Sequence, residues 1–217
     1  MPLQTDELRT QPLGPLPTPT ELSTNHPLTD DVAKHIDESR GQIEKILTGK
    51  DKRLLVIVGP CSIHDTDAAI DYAKRLVSVQ KKYKDQLFIV MRTYFEKPRT
   101  IIGWKGLITD PNLDGSYALE AGLNKARKLL LDINKLGLPT ATEFLDMITG
   151  QYITDLISWG AIGARTLSLR STARWPQLFL AQWVSRTVLT AALRLLLTQC
   201  ALQKHHTTST LQTKTAA

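Results

Sequence analysis

Charged side chains lie where several predicted strands end, and they are the residues whose types and spacing suit chemistry. Arg92 closes one predicted strand, and Lys97 and Arg99 follow it. Glu143 lies on a second strand, and Arg165 closes a third. In parallel α/β folds the carboxyl ends of the strands form the ligand face, so we expect these side chains to converge. Arginine grips phosphate or carboxylate with paired hydrogen bonds, and lysine adds a point charge. The pattern therefore predicts a strongly anionic, phosphorylated substrate.

Each of these residues also has a plain structural interpretation. Cys61, taken alone, is more often a small buried residue than a ligand. The run 97–99 also suits a solvated loop, Arg165 can pair with Glu143, and His64 reads as a structural partner near a turn. Cations at separate strand ends favour a binding site when they are taken together. No glycine-rich phosphate loop is present, so side chains must hold the anion.

The elements that must position these residues alternate between strands and helices. The predicted strands are 54–58, 87–91, 140–144 and 161–164, and the predicted helices are 30–50, 66–83, 117–136 and the short 151–158. The first strand is uninterrupted and apolar, which predicts burial on both faces. The proline-rich opening, 1–28, reads as an extended arm. This alternation predicts an α/β fold with a parallel sheet, and it leaves a barrel and an open sheet as alternatives.

The composition changes sharply at residue 166. Residues 1–166 hold 21 basic and 21 acidic residues together with all twelve glycines. Residues 167–217 hold six basic residues and neither an acid nor a glycine, so the whole net charge of +6 belongs to this tail. The six charges are dispersed and lack interleaved aromatic residues, so we expect no nucleic-acid binding. Arg186 and Arg194 interrupt the apolar stretch 178–202, so we expect no membrane span.

The cysteine content indicates the compartment. The chain has two cysteines, which excludes a disulfide scaffold, and its first residues show no secretion signal. Both features are typical of a reducing compartment, so we expect a cytoplasmic protein. With 42% apolar and 22% charged residues, the chain has enough apolar side chains to bury a core.

Four long motifs resemble one enzyme family. They are GPCSIHD (59–65), MRTYFEKPRT (91–100), GWKGL (103–107) and WGAIGART (159–166). These motifs are similar to those of class I 3-deoxy-7-phosphoheptulonate (DAHP) synthases, and the likeness runs from about 5 to 166. Residues 5–10 and 145–151 most resemble the tryptophan-sensitive, feedback-regulated isozymes.

The resemblance implies a fold and a reaction. The fold is a (β/α)8 TIM barrel, of which this chain carries the amino-terminal half, about four βα units, plus an arm and a helix. Residues 1–50 would be the arm and helix that serve the oligomer and the effector, and 51–166 the half barrel. The reaction condenses phosphoenolpyruvate with erythrose 4-phosphate to DAHP and phosphate. It opens the shikimate pathway to chorismate and the aromatic amino acids, and the intact enzymes are homo-oligomers.

The resemblance also implies a role for each matching residue. Substrate-binding residues are Arg92, Lys97, Arg99, Thr100, Ala164 and Arg165, of which Arg92 and Arg165 bind phosphoenolpyruvate and Arg99 and Thr100 hold the erythrose phosphate. Lys97, between the two substrates, and Glu143, beside the reacting centre, are catalytic. Cys61 is one ligand of a divalent metal of the Mn, Fe, Co or Zn type. The tryptophan effector pocket includes Phe144, Met147, Gly150 and Gln151.

The resemblance ends abruptly after Thr166. One nucleotide spelling of the family's continuation, read again without its first base, encodes residues 167–190 of this chain. We therefore interpret 167–217 as an out-of-frame, non-native tail. By analogy, the half of the barrel that is replaced carries a His, a Glu and an Asp of the metal site, so we expect the chain by itself to be inactive.

Three functional interpretations remain open at this point. The first is an enzyme, a DAHP synthase by descent. The second is a non-catalytic fragment that dimerises or binds tryptophan. The third is the non-functional product of a frameshifted gene. Saturable tryptophan binding to a folded sample separates the second interpretation from the third.

Overall fold

Four parallel strands form the centre of the structure, a computed structural model that describes residues 14–97, 103–146 and 148–162. The strands are β1 (Leu54–Val58), β2 (Leu87–Arg92), β3 (Thr140–Phe144) and β4 (Trp159–Ile162). Each strand pairs with the next along the chain, in the order β1-β2-β3-β4. A doubly wound open sheet reverses its strand order at a switch point, whereas a barrel adds strands consecutively. The order therefore confirms the predicted α/β fold and favours the barrel.

The helices connect and flank the strands. They are α1 (Pro19–Asn25), α2 (Asp30–Leu47), α3 (Thr66–Lys82) and α4 (Leu119–Lys135), followed by two 3₁₀ helices, Thr149–Tyr152 and Thr154–Leu156. Within the described ranges, no helix is long and apolar enough to cross a membrane. Asp65 caps α3 by accepting hydrogen bonds from the backbone N–H groups of Asp67 and Ala68. The loop after β1 is thereby joined rigidly to the helix that follows it.

The prediction of an extended arm is wrong over α1. Thr18 and Glu21 form a reciprocal capping box at its start, and Pro19 occupies the first helical turn. Proline favours that turn because its missing N–H would have no partner there. Leu22 is fully buried, so packing against the rest of the molecule stabilises this short helix.

The predicted short helix at 151–158 is also wrong. Two 3₁₀ helices replace it, and side chains from other elements bind carbonyl groups at their carboxyl-terminal end. Arg40 of α2 donates to the carbonyls of Thr154 and Ile157. Asn134 of α4 donates to the carbonyl of Leu156. The last strand begins at Trp159, two residues earlier than predicted.

The two faces of β2 belong to different clusters of core residues. Alternate residues of β2 point to opposite faces, as strand geometry requires. Ile89 and Met91 join the core formed with α3 and α4. Phe88 and Val90 pack instead with Ile43 of α2. Both faces of β2 therefore pack against core side chains.

The prediction that β1 is buried on both faces is wrong. Leu54 is 64% exposed and Val58 is 36% exposed. Among the described residues, β1 has a partner strand on one side only. An apolar strand is fully buried only where strands and helices surround it, and β1 lies at the edge of the described sheet.

The buried side chain of Arg127 connects several helices. The side chain of Arg127 is 1% exposed and forms two hydrogen bonds of 2.8 Å with the carboxylate of Asp155. It also donates to the carbonyls of His26 and Tyr152. Arg127 thus joins α4 to the end of α1 and to both 3₁₀ helices.

We expect Arg127→Met to lower the free energy of unfolding by about 3 kcal/mol, because it leaves buried acceptors without a donor. Urea unfolding followed by circular dichroism measures the change. Lys128→Met is the matched control, since Lys128 is the exposed neighbour on the same helix, and we expect it to change stability by less than about 0.5 kcal/mol. An equal loss of unfolding free energy in the two variants would contradict the role of Arg127 in joining these helices.

Candidate functional site

The candidate site lies at the carboxyl ends of β1, β2 and β3. β2 ends at Arg92, which pairs with Ala141 of β3. Glu143 lies one residue before the end of β3. The loop that follows β1 begins with Gly59 and carries Cys61. Because the strands are parallel, these residues share one edge of the sheet.

Gly59 allows the loop after β1 to pass close to the end of β2. A Cβ atom at this position would lie 2.6 Å from the carbonyl oxygen of Arg92 and 3.0 Å from its Cβ. Such contacts are too short, so any larger residue would displace one of the two strand ends. The close approach lets the Arg92 guanidinium donate from Nη2 to the carbonyl oxygen of Cys61, at 3.2 Å.

The guanidinium of Arg92 is held in one orientation. Its Cζ atom lies 3.8 Å from the centre of the Tyr94 ring, a cation–π contact. Its Nε–H is buried and has no hydrogen-bond partner within the described part of the chain. Burial raises the pKa of Tyr94, and this effect exceeds the lowering that the charge of Arg92 causes. A fixed cation with an unused donor is suited to an anion.

Lys97 reaches the same place from the loop after β2. Its Nζ lies 3.0 Å from the Sγ of Cys61. The backbone N–H of Lys97 donates to the carbonyl of Lys105, and Glu96 forms an antiparallel bridge with Gly106. The motif 103–107 thus holds the loop in position. Cys61 is exposed, so its interpretation as a small buried residue is wrong.

Sequence reasoning assigned no role to Glu96, which lies beside this pair of residues. Burial raises its pKa to about 8, and the neighbouring charge of Asp146 adds to the effect. The hydroxyl oxygen of Thr149 lies within hydrogen-bond distance of both carboxyl groups, 3.3 Å from Oε2 of Glu96 and 3.0 Å from Oδ1 of Asp146. Glu96 is therefore protonated at neutral pH and joins the loop after β2 to the loop after β3. Its motif was visible in the sequence, but its burial was not.

His64, in the loop after β1, packs against Trp104 of the motif 103–107. The two rings pack edge to face with 6.4 Å between their centres. The indole Nε1–H of Trp104 donates to the carbonyl of Asp110. This position agrees with the structural interpretation of His64.

Comparison with known protein families shows which family the chain belongs to. The model of the DAHP synthetase I family matches residues 26–173, more than half of the chain. The chain belongs to the DAHP synthetase I family. The predicted resemblance is confirmed, while the predicted boundary at residue 166 stays a prediction.

Named relatives support the same assignment. The Trp-sensitive phospho-2-dehydro-3-deoxyheptonate aldolase of Escherichia coli K12 is 66% identical over 163 residues, which are 75% of this chain and 47% of that protein. The protein of the same name from Salmonella typhimurium LT2 is 63% identical with the same coverage. The chain spans about half the length of the curated relatives it matches.

A solved structure of a related protein confirms the fold. The phospho-2-dehydro-3-deoxyheptonate aldolase from Francisella tularensis SCHU S4 superposes with a TM-score of 0.72 and is 48% identical. The match covers 77% of this chain and 48% of that one. The four parallel strands are therefore half of a barrel, as predicted.

The structure brings together three of the residues that the DAHP synthase resemblance singled out. Arg92 contacts the carbonyl oxygen of Cys61, and Lys97 contacts its Sγ. Glu143 is close enough for its charge to raise the pKa values of Tyr94 and Glu96. Five further candidates lie outside the described residues: Arg99, Thr100, Met147, Ala164 and Arg165.

The described members of the predicted effector set lie beyond β3. Phe144 is buried, and a Cβ added at Gly160 would lie 2.6 Å from its ring. Gly150 is buried and Gln151 is exposed on the first 3₁₀ helix. This 3₁₀ helix packs against α1, and the hydroxyl of Tyr152 donates to the carbonyl of Pro17 at 2.8 Å.

Metal binding needs more ligands than the described residues offer. In residues 14–97, 103–146 and 148–162, no group of three His, Cys, Asp or Glu side chains is arranged to hold an ion. Cys61, the metal ligand that the resemblance implies, therefore belongs to no such group in the described ranges. Catalytic metals take about three protein ligands, so the described residues alone do not fit such a group.

We expect Glu96 to make the stability of these loops depend on pH. Its pKa lies at about 8 in the folded chain against an ordinary value of 4.5. Between these values the unfolded chain loses the proton while the folded chain retains it, so stability falls as the pH rises through this window. In Glu96→Gln the proton cannot be lost. Its melting temperature, relative to the parent protein, should rise by a few degrees between pH 5 and pH 8.

Glu120→Gln is the control for this measurement, because Glu120 is exposed at the start of α4. Melting curves recorded by circular dichroism at each pH supply the data. A constant difference between the Glu96→Gln variant and the parent protein would show that Glu96 is ionised in the folded chain.

Proposed function

We propose that the described residues form the amino-terminal half of a DAHP synthase active site. The reaction condenses phosphoenolpyruvate with erythrose 4-phosphate, releases phosphate and opens the shikimate pathway to chorismate and the aromatic amino acids. The convergence of Arg92 and Lys97 on Cys61, at the ligand face of a half barrel from this family, carries the proposal.

Arg92 and Lys97 would bring two anionic substrates together. Phosphoenolpyruvate binds to the oriented guanidinium of Arg92, and Arg165 adds a second cation. Lys97 lies between the substrates, and Arg99 and Thr100 hold the phosphate of the erythrose. These cations offset the repulsion between the two anions and fix the reacting carbon atoms near each other.

The chemistry follows from that arrangement. The enol carbon of phosphoenolpyruvate attacks the aldehyde carbon of the sugar. Water then adds to the carbon that carries the phosphate, and phosphate leaves. Glu143 lies beside this centre, where a carboxylate can accept or return a proton.

Family membership supports a divalent metal for the intact enzyme in general terms. The described residues contribute only Cys61 to it, so the remaining ligands must come from elsewhere. We propose a homo-oligomer to which 1–50 contributes, located in the cytoplasm, because both substrates are charged phosphates that do not cross membranes unaided.

We expect Arg92→Gln to weaken phosphoenolpyruvate binding by about ten-fold to a hundred-fold, since charge-assisted hydrogen bonds contribute about 1.5–3 kcal/mol each. Isothermal titration calorimetry on the purified chain measures the affinity. Arg75→Gln makes the same change on an exposed face of α3 and should leave the affinity unchanged. Equal affinities of the parent and Arg92→Gln proteins for phosphoenolpyruvate would contradict the proposed role of Arg92.

A phosphate-release assay completes the test. With both substrates and manganese present, we expect the chain by itself to bind phosphoenolpyruvate without turnover, because one thiol cannot hold the metal. Turnover that requires both substrates would show that the chain carries a complete site.

A second candidate function is tryptophan binding without catalysis. The Escherichia coli and Salmonella typhimurium relatives are named as Trp-sensitive proteins. In this chain, α1 packs against the 3₁₀ helix that carries Gly150 and Gln151, so two regions of the proposed effector pocket meet. Because both regions and their contact lie within the described residues, the proposed pocket would form from them.

We expect the folded chain to bind tryptophan saturably and Gln151→Ala to weaken this binding about ten-fold, because a lost side-chain hydrogen bond costs about 1 kcal/mol or more. Equilibrium dialysis with labelled tryptophan gives the affinity. Gln86→Ala, at an exposed site before β2, is the matched control. A sample that is folded by circular dichroism yet binds no tryptophan would eliminate this function.

A further inference from the structure

Cys61 and Lys97 are close enough to react with each other. The Nζ atom of Lys97 lies 3.0 Å from the Sγ atom of Cys61, and the thiol is exposed to solvent. We propose that oxidation joins these two side chains covalently, through a sulfenamide bond between Sγ and Nζ. The proposal rests on this geometry alone and is independent of the proposed function.

The two side chains are held in register by their backbones. The carbonyl of Cys61 accepts a hydrogen bond from Arg92, and Gly59 keeps the loop against the end of β2. The N–H of Lys97 donates to the carbonyl of Lys105 at 2.9 Å. Because both anchors hold the backbones of Cys61 and Lys97 and do not involve Sγ or Nζ, neither loop has to unfold for these two atoms to approach bonding distance. The lysine chain has enough rotatable bonds to cover the remaining gap.

The chemistry needs one equivalent of a peroxide. Hydrogen peroxide oxidises the thiol of Cys61 to a sulfenic acid and is itself reduced to water. Sulfenic acids condense with nearby nitrogen or sulfur nucleophiles. The Lys97 ammonium releases a proton to solvent, and its nitrogen attacks the sulfur. The S–O bond breaks, an N–S bond forms, and the oxygen leaves as a second water with one proton from the amine. The thiol proton and one amine hydrogen are lost overall.

The cross-link would change the site in two ways. It removes the positive charge and mobility of Lys97, and it blocks the thiol of Cys61. A thiol reductant would cleave the N–S bond and restore both groups. The pair would therefore form a reversible oxidative modification site at the carboxyl edge of the sheet.

Peroxide treatment of the full chain followed by mass spectrometry tests this inference. We expect an intact mass lower by two hydrogens, and a tryptic map in which the peptide containing Cys61 is joined to the peptide containing Lys97. Dithiothreitol should restore the original mass. In Lys97→Arg, which keeps the charge but removes the primary amine, the cross-linked peptide should fall to background and dimedone should trap Cys61 as a sulfenic acid.

Two control variants separate this bond from its alternatives. Cys200→Ser should retain the cross-link, because a disulfide between the two cysteines of the chain would cause the same loss of mass. Lys105→Arg should also retain it, because Lys105 meets Lys97 through its backbone carbonyl.

Several results would overturn the proposal. They are a disulfide or higher sulfur oxides at Cys61 as the only products, a link from Cys61 to another lysine, and persistence of the same linked peptide in Lys97→Arg. If Lys97→Arg fails to fold, as judged by circular dichroism, the peptide map of the parent protein and of Cys200→Ser decides the question.

Discussion

The parallel, consecutive order of the four strands is the constraint on which the candidate site depends. It brings the carboxyl ends of β1, β2 and β3 to one edge, so that residues far apart in the chain become neighbours. Cys61 and Lys97 are separated by 36 positions, yet their side chains meet at 3.0 Å. Gly59 also brings the loop after β1 close to the end of β2, because a Cβ at this position would collide with the backbone of Arg92.

The site contains features that cost stability. The Nε–H of Arg92 is buried without a partner in the described part of the chain, and Glu96 keeps a proton at neutral pH because burial and Asp146 disfavour its charge. A buried donor without an acceptor costs about 1–3 kcal/mol. Such costs are typical of binding sites, where the ligand completes the interactions. By contrast, Arg127 of α4 makes paired hydrogen bonds with Asp155 and stabilises the helices that support the site.

The described half barrel also explains why the two candidate functions separate. The proposed substrate residues lie along the carboxyl edge of the described strands, and the proposed metal ligand Cys61 belongs to no group of three His, Cys, Asp or Glu in the described ranges. The contact between α1 and the first 3₁₀ helix is formed within the described residues. The proposed catalytic site and the proposed effector site would therefore need different amounts of the fold.

Much of this molecule was determined by the sequence alone. The strands β1 and β3 have the predicted bounds, since short β-branched or apolar runs between turn residues admit few alternatives. The motifs were long enough to identify the family and to name Arg92, Lys97 and Cys61. Only the tertiary structure decided the burial of Glu96, the exposure of Cys61 and the helical form of 19–25. The burial of Glu96 and the exposure of Cys61 depend on contacts with residues distant in the chain, such as Asp146 beside Glu96, and local sequence patterns do not encode such contacts. Helix 19–25 has a local capping box, but the burial of Leu22 that stabilises it also depends on the tertiary structure.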